Sequence, residues 1–252
     1  MKTLLLKIEY DGTNYSGWQR QLNSNSVQEE IESALSKILQ KNLQITGAGR
    51  TDAGVHANGQ VATLSLDFDI NIPDFKITKA LNSNLPKDIR ISGSAIMDGE
   101  INARFDAIAR EYIYNISTKD LAIKRNYISF IKYPISSDLL FKASKLFIGE
   151  NDFTTFSKLN EDTKNYRCKV EISEWTQVDD IIFQYRIKAN RFVYGMVRSI
   201  VGTMIDIARG KVEFEKINKF LNAKDRSLNS PLAAAKGLIL EKIDFPFEIE
   251  FK

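Results

Sequence analysis

A chain of 252 residues with 43% hydrophobic and 27% charged residues has the material for a substantial core, in one large domain or two of about 100–150 residues each. Thirty-five basic against 32 acidic residues give a net charge of +3, which permits a nucleic-acid partner without requiring one, since phosphate binding follows local potential. One cysteine, Cys168, excludes an internal disulfide and a cysteine-built metal cluster, and no apolar run approaches the roughly 20 residues of a membrane helix.

The N-terminus, MKTLLLKIEY, has a short apolar stretch broken by Lys7 and Glu9, not the long apolar region of a signal peptide, so a cytoplasmic protein is expected. Lys2 to Tyr10 reads as a strand stopped by Asp11-Gly12. Ser26 and Glu29 form a capping box ahead of Val27, Ile31, Leu35 and Ile38, which predicts a helix over 27–40. Strands follow at Leu43–Thr46 and Gln60–Asp67, then a helix over Pro73–Asn84 and a strand over Ile89–Met97. Further strands are predicted at Glu111–Ser117 and Asn126–Lys132, and a helix at Ser137–Phe147. Tyr166–Val178 and Ile181–Ala189 read as a hairpin turning at Asp179-Asp180. Val197, Ile200, Val201, Met204, Ile205 and Ala208 form an apolar helical stripe. A short helix near 213–222 and a strand near 238–244 complete the pattern. Strand pairs too close for crossover helices favour an α+β fold with a mainly antiparallel sheet. A boundary near 107 gives an N-terminal half, 1–107, and a C-terminal half, 108–252.

The stretch Gly47-Ala48-Gly49-Arg50-Thr51-Asp52-Ala53-Gly54-Val55-His56 carries the most chemistry. Three of its first eight residues are glycine, which predicts a tight loop whose backbone approaches something closely. Arg50, Asp52 and His56 place polar groups in that loop. On spacing alone, a structured turn in which Asp52 binds nearby backbone amides explains it as well as a reactive carboxylate does. His56 is the only histidine, which cannot by itself build a metal site of the common types.

The segment GAGRTDAGVHANGQ (Gly47–Gln60) resembles the catalytic-loop signature of the tRNA pseudouridine synthase A family. The resemblance runs along almost the whole chain: YDGTNYSGWQRQ (Tyr10–Gln21), ALNSNLPKDI (Ala80–Ile89), Ala103-Arg104-Phe105, Arg110-Glu111-Tyr112-Ile113-Tyr114, Gly149–Phe153 and Met196–Gly202 match further blocks in family order. It implies a pseudouridine synthase fold: a pseudo-twofold pair of α+β halves flanked by helices, with the active cleft between them. It also implies an isomerase that detaches uracil from C1′ of a uridine at positions 38 to 40 of the tRNA anticodon stem-loop, turns it, and rejoins it through C5. No metal or cofactor is expected, because uracil is both leaving group and re-attacking partner. A homodimer across which the tRNA lies is implied as well.

The same resemblance assigns Asp52 as the catalytic carboxylate, attacking the sugar carbon or assisting glycal formation by deprotonation; the sequence does not choose between the two. Arg198 becomes its cationic partner, although an exposed helix arginine is the ordinary expectation. Tyr112 becomes a ring stacked on the target uracil, a contact worth about 1–3 kcal/mol, with its hydroxyl near the C5 proton. Arg50 fills the gap left by the flipped base. His56 serves structure or RNA contact. Arg110 shares a strand face with Tyr112 and Tyr114 and faces the RNA; Tyr114 reads as sheet packing. Arg20, Arg104, Arg167 and Arg191, interleaved with Trp18, Phe105, Phe192 and Tyr194, suit an RNA groove, although surface charges and core rings are the plainer reading of each. The chain departs from the family at Asn102 and Gly195, where histidine is common, and in the loose block Asn229–Leu238.

Two other classes fit less well. An RNA-binding module that has lost catalysis sits poorly with Arg50, Asp52, Tyr112 and Arg198 all being present. A nucleoside-cleaving carboxylate enzyme usually needs a second carboxylate as acid; no paired acidic motif stands near Asp52, and Glu29 and Glu111 are candidates by composition only.

Overall fold

The computed structural model describes residues 1–68, 70, 72–158 and 163–252, the side chains of Asp74 and Phe75 aside. Contacts divide the chain into two units, Met1–Ile108 together with Leu240–Lys252, and Ala109–Ile239. The first runs β1 (Lys2–Tyr10), α1 (Val27–Leu39), β2 (Thr46–Gly47), β3 (His56–Leu66), α2 (Asp74–Asn82), β4 (Ile89–Asp98) and a one-turn helix α3 (Ala103–Asp106). The second runs β5 (Ala109–Ser117), β6 (Ser129–Phe130), α4 (Ser137–Lys145), β7 (Gly149–Asp152), β8 (Arg167–Gln177), β9 (Ile182–Ala189), α5 (Met196–Ala208) and α6 (Lys216–Ala223). Strand β10 (Leu238–Asp244) returns the chain to the first unit.

In the first unit β1 is central, antiparallel to β3 on one side and to β4 on the other, and β3 pairs antiparallel with β2. Beyond β3 lies β10, where Asn58 Nδ2 donates to Glu241 at 2.8 Å. Leu4 of β1, Leu35 and Ile38 of α1, and Ile77 and Leu81 of α2 converge beside one another under the helices. Helix α1 starts where expected: Ser26 Oγ accepts from Glu29 N at 3.3 Å, satisfying one amide of the first turn. Each buried leucine or isoleucine contributes about 1.5–3 kcal/mol, so this face accounts for much of the unit's stability.

The second unit's sheet has the order β5-β9-β8-β7, antiparallel throughout, with β6 added parallel to β5. The β8–β9 hairpin turns at Asp179, whose Oδ1 accepts from the amides of Ile181 (2.9 Å) and Ile182 (2.7 Å). Helix α4 packs on β8 and on α5, which is buried all round except at Arg198.

The expected α+β, mainly antiparallel architecture is therefore what the chain adopts. Several boundaries differ. Leu43–Thr46 contributes only Thr46–Gly47 as strand, because Ile45 N donates to the buried Glu32 carboxylate at 3.1 Å instead of to a neighbouring strand. Within 126–132 only Ser129–Phe130 pairs, since the amides of Tyr127 and Ile128 both turn back to Lys124 O. β3 begins at His56, inside the glycine-rich motif, four residues before the expected Gln60. β7, a Gly-Glu-Asn-Asp sequence without apolar alternation, is held by its backbone pairing to β8. The helix expected near 213–222 spans Lys216–Ala223.

Candidate active site

In the first unit the Arg50–His56 loop is clasped by the segment that follows β1. Trp18 N donates to Thr51 O at 3.2 Å, Gly54 N to Tyr15 O at 3.3 Å, and the Tyr10 and Thr51 hydroxyls share a hydrogen bond of 2.8 Å. Within the loop Val55 N closes a turn onto Asp52 O at 3.1 Å. Two glycines make this approach possible. Gly12 lies directly against the Val55 carbonyl, where a β-carbon has no room. Gly17 has φ +103°, and a β-carbon there meets Thr51 O at 2.5 Å.

Gln60 closes the other side of the loop. It is fully buried, donates through Nε2 to Gly49 O at 2.7 Å and accepts from Gly49 N at 3.3 Å and Val61 N at 3.2 Å. Each such bond contributes about 1 kcal/mol net, and losing a buried partner costs about 1–3 kcal/mol. Asp52 is consequently half-buried on a backbone fixed on both sides, while Arg50, two residues earlier, is exposed.

His56 is buried at the start of β3. Its Nδ1 lies 3.1 Å from Gly12 N and 3.1 Å from Asp11 Oδ1, so a neutral ring accepts from the amide and a protonated ring donates to the carboxylate. Asp11 also caps the following turn by accepting from Thr13 N at 2.9 Å. Tyr15 is buried and donates to Asp88 Oδ1 at 2.7 Å; desolvation and that carboxylate push its pKa well above the ordinary tyrosine value. The Tyr10–Gln21 block is thus the cradle of the Asp52 loop. The sequence hinted at this through Gly12 and Gly17 set among aromatic residues, a pattern that a separate motif-by-motif reading does not connect to residues 47–60.

In the second unit Arg110, Tyr112 and Tyr114 alternate along β5. Tyr112 is 7% exposed, and Phe192 meets its ring edge-on at a centroid distance of 5.1 Å. Arg110 Nη1 donates to Asn190 O at 3.1 Å. Tyr114 is fully buried and donates to Ala234 O at 2.8 Å, as its sheet-packing reading expects. Burial pushes its pKa up to about 12, against smaller lowering influences from Ser129 and Arg198.

Arg198 is half-buried, not extended into solvent. Its Nε donates to Ala233 O at 2.7 Å, and its own carbonyl accepts from Ala233 N at 3.0 Å. The two bonds join α5 to the Ser230–Ala234 segment and set the guanidinium's direction. Arg50, Asp52 and His56 therefore share one loop of the first unit, and Arg110, Tyr112 and Arg198 belong to the second.

A family model described as tRNA pseudouridine synthase matches residues 7–106 and 143–246. A tRNA pseudouridine synthase A from Bacteroides fragilis is 38% identical over 242 residues, covering 96% of either chain. One from Shewanella sediminis is 41% identical over 250 residues, covering 97% of this chain and 94% of its own. Among solved structures, a chain from an H/ACA RNP bound to a substrate RNA containing 2′-deoxyuridine is 13% identical with a TM-score of 0.38, covering 81% of this chain and 43% of its own, too remote to bear on fold or function. With the family model spanning both units and relatives matching nearly end to end, this chain belongs to the tRNA pseudouridine synthase family and is an isomerase acting on uridine in tRNA.

Proposed function

We propose that the chain converts uridine to pseudouridine at positions 38 to 40 of the tRNA anticodon stem-loop, with Asp52 as the nucleophile on a uridine flipped out of its helix. The observation that carries this reading is the cradle around Asp52. A reacting carboxylate has to be held within a fraction of an ångström, and here the backbone on both sides of it is tied to Tyr15 and Trp18, and the neighbouring Thr51 hydroxyl to Tyr10.

The chemistry follows from that placement. Ionised Asp52 attacks C1′, or removes a ribose proton to give a glycal, and the C1′–N1 bond breaks with uracil leaving as an anion. The freed base turns and its C5 bonds to C1′ as the Asp52 oxygen leaves that carbon, or, on the glycal route, as Asp52 returns the ribose proton; the C5 proton is then lost to restore the uracil ring. Arg198, aimed by its bond to Ala233 O, is the cationic partner that family resemblance assigns to the carboxylate. Tyr112, braced by Phe192, is the ring on which the uracil rests. Arg50 is exposed beside the nucleophile, which suits a side chain that enters the RNA stack as the base leaves it, offsetting a few kcal/mol of unstacking. His56, buried between Asp11 and Gly12, holds the loop, and Arg110 contacts RNA phosphate. Family resemblance extends the proposal to a cytoplasmic homodimer that binds one tRNA across both subunits.

Pseudouridine mapping of tRNA from cells that lack the protein, restored with either the native chain or Asp52→Asn, tests the assignment. Modification at 38 to 40 is expected to return with the native chain alone. Modification confined to other positions overturns the site assignment, and full restoration by Asp52→Asn overturns the mechanism.

A further inference from the structure

We infer that the second unit carries an additional subsite for one phosphodiester-linked nucleotide of the substrate RNA, in a cavity of about 560 Å³ bordered by Lys158, Tyr194, Arg226, Asn229, Ser230 and Leu232. The inference rests on tRNA being the substrate. A space of this size matches one nucleotide, since small-ligand sites occupy roughly 300–1,000 Å³.

Among the described residues the lining has two cations and no carboxylate. Lys158 Nζ lies 5.0 Å from the centre of the Tyr194 ring. The Arg226 guanidinium lies 5.1 Å from the centre of the Tyr166 ring, and its Nε donates to Thr154 O at 3.4 Å. Aromatic faces and a carbonyl orient these cations without neutralising them. Among the described residues, Asp225 and Asp152 have other partners: Asp225 accepts from Ser227 N and Oγ, and Asp152 pairs with Lys224 at 3.1 Å while accepting from Thr154. The positive potential of the cavity is therefore left for an external anion, and a phosphate is the anion an RNA brings.

The remaining walls suit the rest of a nucleotide. Tyr194 is 45% exposed, offering a ring face to a base. Asn229 is a fixed polar wall, its amide bonded to Ser199 Oγ and its carbonyl accepting from Thr203 Oγ1 at 3.2 Å. Ser230–Leu232 leads directly into Ala233, which takes the Arg198 guanidinium. An occupant of the cavity thus presses on the segment that aims Arg198, so the subsite reads a nucleotide flanking the target and couples its binding to that arginine. Arg226 and Lys158 lie outside the motifs that carry the family resemblance, and only the folded chain gathers them with Tyr194.

The test is tRNA binding by filter retention across a salt series, for the native chain, Lys158→Gln, Arg226→Gln, Tyr194→Ala and Tyr194→Phe. Lys142→Gln, whose ammonium is paired with Asp138 at 2.7 Å, controls for the loss of one charge. Loss of one phosphate contact reduces the slope of log affinity against log salt by about 0.7–0.9. That reduction is expected for Lys158→Gln and for Arg226→Gln and not for Lys142→Gln, with affinity near 0.1 M salt falling several-fold. Tyr194→Ala is expected to weaken binding at every salt concentration with an unchanged slope, and Tyr194→Phe to bind like the native chain. Native slopes for both cation variants overturn the subsite. Lys158 is exposed, so its variant decides the matter even where Arg226→Gln loses its fold. Unchanged slopes in both cation variants of a protein that still forms pseudouridine dismiss the subsite alone, whereas a native protein inactive on tRNA dismisses the function on which it rests.

Discussion

Replacing Gly17 by alanine separates the cradle around Asp52 from ordinary backbone strain. At φ +103° an alanine costs about 1–2 kcal/mol for its left-handed conformation alone. Its β-carbon also meets Thr51 O at 2.5 Å, Asp52 C at 3.1 Å and Ala53 N at 3.3 Å. These are backbone atoms that cannot rotate aside, so the loop itself has to move, adding about 1–3 kcal/mol of overpacking. Gly99 supplies the comparison: its φ is +94°, and among the described residues a β-carbon there meets nothing within 4 Å. Gly99→Ala is expected to lose only the conformational part in urea unfolding, and Gly17→Ala a further 1–3 kcal/mol or so. Turnover is followed by release of tritium from C5-labelled uridine in tRNA, because the C5 proton is lost on rejoining. A nucleophile displaced by about 1 Å costs on the order of 100-fold, expected for Gly17→Ala and not for Gly99→Ala. Equal stability and native turnover in both variants would refute the idea that the Tyr10–Gln21 segment positions Asp52.

Gln60→Leu leaves both polar groups of Gly49 without their side-chain partner, so chemical unfolding is expected to register a loss of about 2–4 kcal/mol. Arg198→Lys keeps a cation but not the Nε donor to Ala233 O; a charged hydrogen bond worth about 1.5–3 kcal/mol translates into a single-turnover rate lower by roughly 10- to 100-fold. Tyr114 gives a pH signature. Its pKa is raised to about 12 in the folded chain, so the stability it contributes is fully present below the unfolded value near 10 and is lost as pH rises through 12. Tyr114→Phe is expected to flatten that part of the alkaline decline, worth about 2–3 kcal/mol, while losing the bond to Ala234 O at neutral pH. An unchanged alkaline profile in Tyr114→Phe removes the assignment.

The sequence was most informative where local chemistry decides structure. Lys2–Tyr10, Val27–Leu39 and Leu238–Asp244 were readable because alternation, a serine cap and turn residues act within a few positions. Leu43–Ile45 and Asn126–Ile128 misled because Leu43, Ile45 and Ile128 are buried in loops, the first segment tied by the distant Glu32 and the second by a local turn onto Lys124 O. β7 exists through its partner alone, so its own residues carry no signal. The return of Leu240–Lys252 to the first unit depends on long-range contacts, including Lys252 O accepting from Ser94 N at 3.0 Å, that no local pattern encodes. The motif loop was legible as chemistry, yet its support was not. Nothing within residues 47–60 states that Tyr10, Tyr15 and Trp18 hold it, and nothing near Arg198 names Ala233 as its acceptor.

Single-turnover conversion of uridine in folded tRNA by the purified native chain and by Asp52→Asn tests the central claim most directly, with tRNA binding measured on the same preparations. Conversion by the native chain, none detectable from the asparagine variant and comparable affinity for both is the expected outcome. Pseudouridine formed at a native rate by a folded, tRNA-bound Asp52→Asn protein would contradict it.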